Sequence, residues 1–224
     1  DGEDIQPADV LHDGRRGWQM HNEYSFLYAR ALTELMDEEG VDGFLWSRSG
    51  SLGIEQVPGL WAGDQFATWE QMASLIPAGL SAGMSGAPFW GHDIGGYIGD
   101  PGAGLYVRWA QFGAFSPFMQ FHGIEPREPW AFGERVAAIY KRLAHLRMNL
   151  RPTLIALGRE KAETGLPVMR PMGMEFPDDA RFLREQTQYM LGPDLLVAPV
   201  LEARSGRRIA FPEGTWHHLL HPVS

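Results

Sequence analysis

The sequence predicts an α/β fold of βα units on a parallel sheet, roughly the second half of a (β/α)8 TIM barrel, followed by the start of a β-sandwich domain. Three observations lead there. Short apolar runs alternate with helical patterns, and most of these runs end in a polar or Gly-rich loop. After Gln188 the texture changes to short strand-like pieces joined by Gly and Pro.

The elements follow in order. Residues 21–39 set Tyr24, Leu27, Leu32 and Met36 near helical spacing, and Gly40 stands after them as a stop. The apolar run 41–47 suits a buried parallel strand and leads into a Gly-rich loop from Ser49 to Gly63. A helix is expected from about Thr68 to Met84, a strand over Ala87–Asp93, a Gly/Pro loop, and a helix near Leu105–Phe115. A third strand is expected at Phe118–Phe121. A long helical region follows at Glu134–Glu163, where Pro152 forces a break because it lacks an N–H and crowds the preceding turn. Val168–Phe176 reads as a fourth strand. Four such units amount to half a barrel, since a complete one takes about 250 residues. The junction is expected within 175–188, giving a barrel part over 1–180 and a β-rich part over 181–224.

Composition narrows the function. A chain of 224 residues that is 44% hydrophobic can bury a substantial core. A net charge of −9 supplies no basic stripe, which argues against nucleic acid and anionic membrane partners and favours a neutral small molecule. The absence of Cys rules out disulfides, thiolate metal sites and a Cys nucleophile. No stretch is long enough to span a bilayer, and residues 1–20 lack the basic-then-apolar order of a signal peptide. The start at Asp1 without Met reads as a cut chain. An N-terminal half of the same protein is therefore an expected partner, while localisation and oligomeric state stay open.

Polar residues collect at the predicted strand ends: Arg48 after the first strand, Asp64 in the loop that follows, Asp93 at the end of the second, and His122 at the end of the third. In a parallel barrel these C-terminal ends face one pocket, where catalytic residues gather.

The stretch RSGSLGIEQVPGLWAGD at 48–64, the segment GAPFWGHDIGGYIGD at 86–100 and the run YVRWAQFGAFSPFMQFHG at 106–123 resemble glycoside hydrolase family 31. The later pieces LPVMRP, QYMLGPDLLVAPV and FPEGTW resemble it in the same order. The resemblance implies a retaining α-glycosidase, α-glucosidase above all, acting on an α-linked oligosaccharide or α-glycoside without metal or organic cofactor. It makes Asp64 the general acid/base and puts Arg48, Trp61 and His122 around the sugar, with Asp93 and Tyr97 flanking it. The opening DGEDIQPADV aligns with the family's nucleophile segment and makes Asp1 the nucleophile. A second alignment, pairing Gly2-Glu3 with the family's Gly-Glu, sets that nucleophile just before residue 1. The chemistry needs such a pair: one carboxylic acid protonates the leaving oxygen while a second carboxylate attacks the anomeric carbon. Asp64 must then hold a proton and Asp1 must be ionised, helped by the charge of Arg48.

Plainer accounts stand beside each residue. Asp64 could cap the helix near Thr68, Arg48 could form a surface ion pair, Trp61 could be a core aromatic, and His122 could be a satisfied buried imidazole. Asp93 could hold a neighbour by hydrogen bonds instead of touching sugar. IGGYIG lacks the spacing and Lys of a phosphate loop and reads as a turn. His92 and Asp93, adjacent on a strand, should face opposite ways and so not share a metal ion. The alternatives to an enzyme are a carbohydrate-binding homologue without turnover and an inactive truncated fragment.

Overall fold

The computed structural model describes residues 5–51, 53, 57, 59–87 and 89–219. Asp1, expected as the nucleophile, lies outside the described residues. Helix α1 runs over Gly17–Glu38 and starts four residues ahead of expectation, because the Gln19 side chain accepts the Arg16 N–H at 2.8 Å and closes the N-terminus there. It buries only Gly17, Met20 and Ala29.

Strands β1 (Trp46–Ser47), β2 (Gly59–Trp61) and β3 (Phe89–Gly91) form a parallel sheet in that order. Leu60 pairs with Ser47 on one side and with Trp90 on the other. The sheet continues as a parallel bridge from Asp93 to Gln120, where the third strand was expected. Two expectations change here. The strand over 41–47 contracts to two residues, and the segment read as a loop up to Gly63 contains β2, a central strand too short and too flanked by Gly and Pro to show a period.

Helix α2 (Trp69–Met84) begins where the Thr68 hydroxyl accepts the Gln71 N–H, and it lays Met72, Leu75, Ile76 and Leu80 against β3. Helix α3 (Gly102–Ala114) packs on α4 (Glu134–Asn149) and buries Leu105, Tyr106, Trp109 and Phe112, the last two against His92. Pro152 does what its ring dictates: α4 ends at Asn149, and α5 (Arg151–Thr164) starts afresh with the proline in its first turn.

The fourth expected strand is not part of the parallel sheet. Strand β4 (Met169–Pro171) passes directly into a single turn, α6 (Met172–Glu175), and pairs antiparallel with β5 (Tyr189–Leu191), which pairs antiparallel with β6 (Leu195–Val197). One core nevertheless runs through both sheets, from Met72, Ile76 and Trp90 through Trp109 and Phe112 to Tyr189 and Leu191. Each fully buried side chain of this size contributes roughly 1.5–3 kcal/mol, so the antiparallel sheet is fastened to the helices behind the parallel one.

Candidate active site

Consecutive side chains on a strand point to opposite faces, and this alternation sorts the polar residues. His92 points outward to α3: Trp109 donates to its Nδ1 at 3.0 Å, its Nε2 lies 3.0 Å from Ser116 Oγ, and Phe112 stacks on the ring. Burial pushes its pKa down to about 3. Asp93 points the other way, so the two do not converge on one point.

At the C-terminal ends of β1, β2, β3 and the 120 bridge, six of the expected residues come together. Arg48 Nη1 stands 3.6 Å from Asp64 Oδ2, and its guanidinium lies over the Trp61 ring, 5.4 Å from the centroid. The Trp61 ring meets His122 edge-on at 6.3 Å, and Tyr97 meets the same imidazole at 5.2 Å. Arg48 and His122 are exposed, Asp64 and Tyr97 half-buried, and Asp93 wholly buried. The cluster thus grades from a wet rim to a dry floor.

That floor is imperfectly satisfied. Asp93 Oδ1 accepts from Gln120 Nε2 at 2.8 Å, but Asp93 Oδ2, Trp61 Nε1 and Gln65 Oε1 have no hydrogen-bond partner among the described residues. Burial raises the pKa of Asp93; the neighbouring Trp61 and Gln120 donors and His122 pull it back, and Asp64 adds to the rise. Trp61 N–H is therefore close enough to act on the carboxylate while falling short of hydrogen-bond geometry. Buried polar atoms left open cost about 1–3 kcal/mol each.

Gln120 and Gln65 adjoin the cluster and were not singled out from the sequence. Gln120 had a signal, since period-two alternation puts it on the same face as His122. Gln65 had none beyond adjacency to Asp64. A larger cavity of about 690 Å³ lies behind the cluster along Ser74, Ala78 and Ser81 of α2; it reaches Arg48, Trp61 and Gln65 but not Asp64, Asp93 or His122. The convergence of side chains, not this cavity, locates the site.

Comparison with known proteins identifies the family. Residues 2–157 match the model of the glycosyl hydrolases family 31 TIM-barrel domain, and residues 165–222 match that of the family's C-terminal domain. The chain is 36% identical over 217 residues to alpha-glucosidase 2 of Bacillus thermoamyloliquefaciens, covering 92% of this chain and 28% of the relative. It is 41% identical over 194 residues to an alpha-xylosidase of Emericella nidulans, covering 85% and 25%. Among solved structures, a cycloalternan-degrading enzyme from Trueperella pyogenes in complex with a covalent intermediate superposes with a TM-score of 0.84 at 36% identity, over 90% of this chain and 30% of that one. A dextranase from Flavobacterium johnsoniae complexed with isomaltotriose gives a TM-score of 0.81 at 37% identity, over 85% and 25%. The chain spans about a quarter of the length of the curated relatives it matches.

Proposed function

The chain belongs to glycosyl hydrolase family 31, and from that premise we propose that it carries both catalytic carboxylates, Asp64 and Asp1, of a retaining α-glycosidase. The substrate is a terminal, non-reducing α-linked sugar. Glucose is the leading candidate, a choice supported by the names of the relatives, which also include an alpha-xylosidase. The observation that carries the reading is the convergence of Arg48, Trp61, Asp64, Asp93, Tyr97 and His122 at the ends of adjacent parallel strands, the end at which a (β/α)8 barrel does its chemistry.

Asp64 gives its proton to the glycosidic oxygen as the bond to the anomeric carbon breaks, and Arg48, 3.6 Å away, stabilises the carboxylate left behind. That carboxylate then takes a proton from the water that hydrolyses the glycosyl-enzyme ester. Trp61 offers an apolar face to the ring, and His122 and Asp93 offer hydrogen bonds to its hydroxyls. The attacking carboxylate is assigned to Asp1 from the alignment of the opening motif, which in a retaining enzyme stands about 5–5.5 Å from the acid. The covalent intermediate held by the Trueperella enzyme supports double displacement.

The test is Asp64→Asn in the intact protein. Hydrolysis of a disaccharide should fall by about 10²–10⁴-fold, while a p-nitrophenyl glycoside of the same sugar, whose leaving group needs little protonation, should keep much of its rate. An equal loss on both would remove Asp64 from the acid role.

A further inference from the structure

We propose that Arg127 is a positioning residue for this site, its guanidinium fastening the 94–99 loop so that the loop seats both Tyr97 and the segment carrying Asp64. The proposal deepens the glycosidase reading and rests on it.

Arg127 is 3% exposed, so its charge has left water and every donor needs a partner. Three of its six partners are carbonyls of one loop, and the other three lie on Glu125 and Pro126. Nε donates to Gly96 O at 2.6 Å, and Nη2 to Gly99 O at 2.5 Å and Tyr97 O at 3.4 Å. Nη1 closes back on the carbonyls of Glu125 and Pro126, and Glu125 Oε2 stands 3.4 Å from Nη2. The Tyr106 hydroxyl in turn donates to the Arg127 carbonyl at 2.7 Å, tying the residue to α3.

The far side of the same loop grips the acid segment. Tyr97 N and Ile98 N both donate to Gln65 O, at 2.7 and 3.1 Å, and Ala67 N donates to Ile98 O at 2.8 Å. Gln65 directly follows Asp64. Gly96 makes this approach feasible: it sits at φ +79, and a Cβ there would fall 2.8 Å from Ala67 N and Cα. Gly123, one residue after His122, leaves the space Arg127 threads, since a Cβ on it would stand 2.9 Å from Arg127 Cγ and Nε. Ile124 N donates to Tyr97 O at 3.0 Å. The Gly-rich stretch IGGYIG, which reads as a turn in the sequence, is thus a plate clamped between Arg127 and the Asp64 loop.

A buried guanidinium kept only for stability would be a poor choice, because well-packed apolar side chains in its place are often neutral or stabilising. What an apolar residue cannot do is hold three loop carbonyls at fixed places. Misplacing a reacting group by about 1 Å can cost on the order of a hundredfold in rate. Arg127 touches no reacting atom, so its effect should show in the step that needs Asp64.

The experiment is R127K in the intact protein, which keeps the charge and loses the fork. After a cooperative melt has shown the variant folded, kcat and KM are measured on a disaccharide and on the p-nitrophenyl glycoside of the same sugar. The disaccharide kcat should fall about tenfold to a hundredfold, and the aryl glycoside kcat by less than about threefold. Equal losses on both substrates, or no loss in a folded variant, would overturn the proposal. G123A, which displaces the Arg127 side chain without removing it, should show the same split at smaller amplitude and decides the matter should R127K not fold. D64N run beside them separates the two readings. If D64N fails to discriminate the substrates, the acid assignment falls; if D64N discriminates and R127K does not, only the Arg127 role falls.

Discussion

His92 makes a prediction whose size can be worked from its surroundings. Trp109 donates to Nδ1, which fixes the ring proton on Nε2, and that N–H goes to Ser116 Oγ, whose own hydrogen goes to Phe112 O. The imidazole is neutral, fully paired and wholly buried, with its pKa pushed from 6.5 to about 3. In the unfolded chain the same ring takes a proton near pH 6.5, so between that point and about 3 the unfolded state binds the extra proton and stability falls as the pH falls. Each unit of pH in that window costs about 1.4 kcal/mol, or about 3 kcal/mol by roughly pH 4. Asp93 works in the opposite direction: its raised pKa lets the folded state keep a proton the unfolded state has lost, so acidification through its folded pKa adds stability. A variant must therefore isolate the histidine. His92→Gln can accept from Trp109 and donate to Ser116 while forfeiting the stack on Phe112, whose ring centroid lies 4.4 Å away. At neutral pH that loss should destabilise by roughly 0.5–1.5 kcal/mol. Urea melts of both proteins from about pH 7.5 to 4 should then cross, with the variant the more stable at the acid end. A difference that stays constant over the range would show that His92 is not held neutral by the fold.

Two further predictions concern other buried groups. Arg170 is 3% exposed and pairs with Glu160 and Glu175, so Arg170→Ala strands two carboxylates and should lower stability by about 3 kcal/mol, the low end for a broken buried pair because Glu160 keeps a third of its surface in water; urea titration measures it. Trp61→Phe removes the indole N–H that holds the Asp93 pKa down, so the Asp93 titration, followed by carboxyl NMR, should move to higher pH while the melt changes little. A downward move would mean that the indole does not face the carboxylate.

The helices were legible in the sequence because their signals are local. Thr68 ahead of α2, Gly40 after α1 and Pro152 in the first turn of α5 each act within one turn. The strands were less so, since two or three residues carry no period and only pairing defines them: β2 hid in a Gly- and Pro-flanked segment, and β4 looked like another parallel strand until β5 paired with it in the opposite sense. In the cluster beyond the strand ends, Arg48, Trp61, Asp64, Asp93, Tyr97 and His122 could be picked out because strand ends and motifs flag them. Gln120 carried only the period-two signal it shares with His122, and Gln65 and Arg127 carried none, because each acts through a partner far away in the chain; Arg127 reaches back about thirty residues to Gly96.

The neighbours His92 and Asp93 show how the fold separates stability from function. They are adjacent in the extended segment that follows β3, both buried and both titratable, yet they face opposite ways. On the outer face each histidine nitrogen meets a partner, and burial is compensated by Trp109 and Ser116. On the inner face Asp93 is held at one oxygen only, and the unpartnered atoms of Asp93, Trp61 and Gln65 gather within one loop system. A chain selected for stability alone would gain by pairing those atoms or replacing them with apolar groups. Leaving them open is reasonable where a ligand with many hydroxyls supplies the missing donors and acceptors, and a sugar ring is such a ligand.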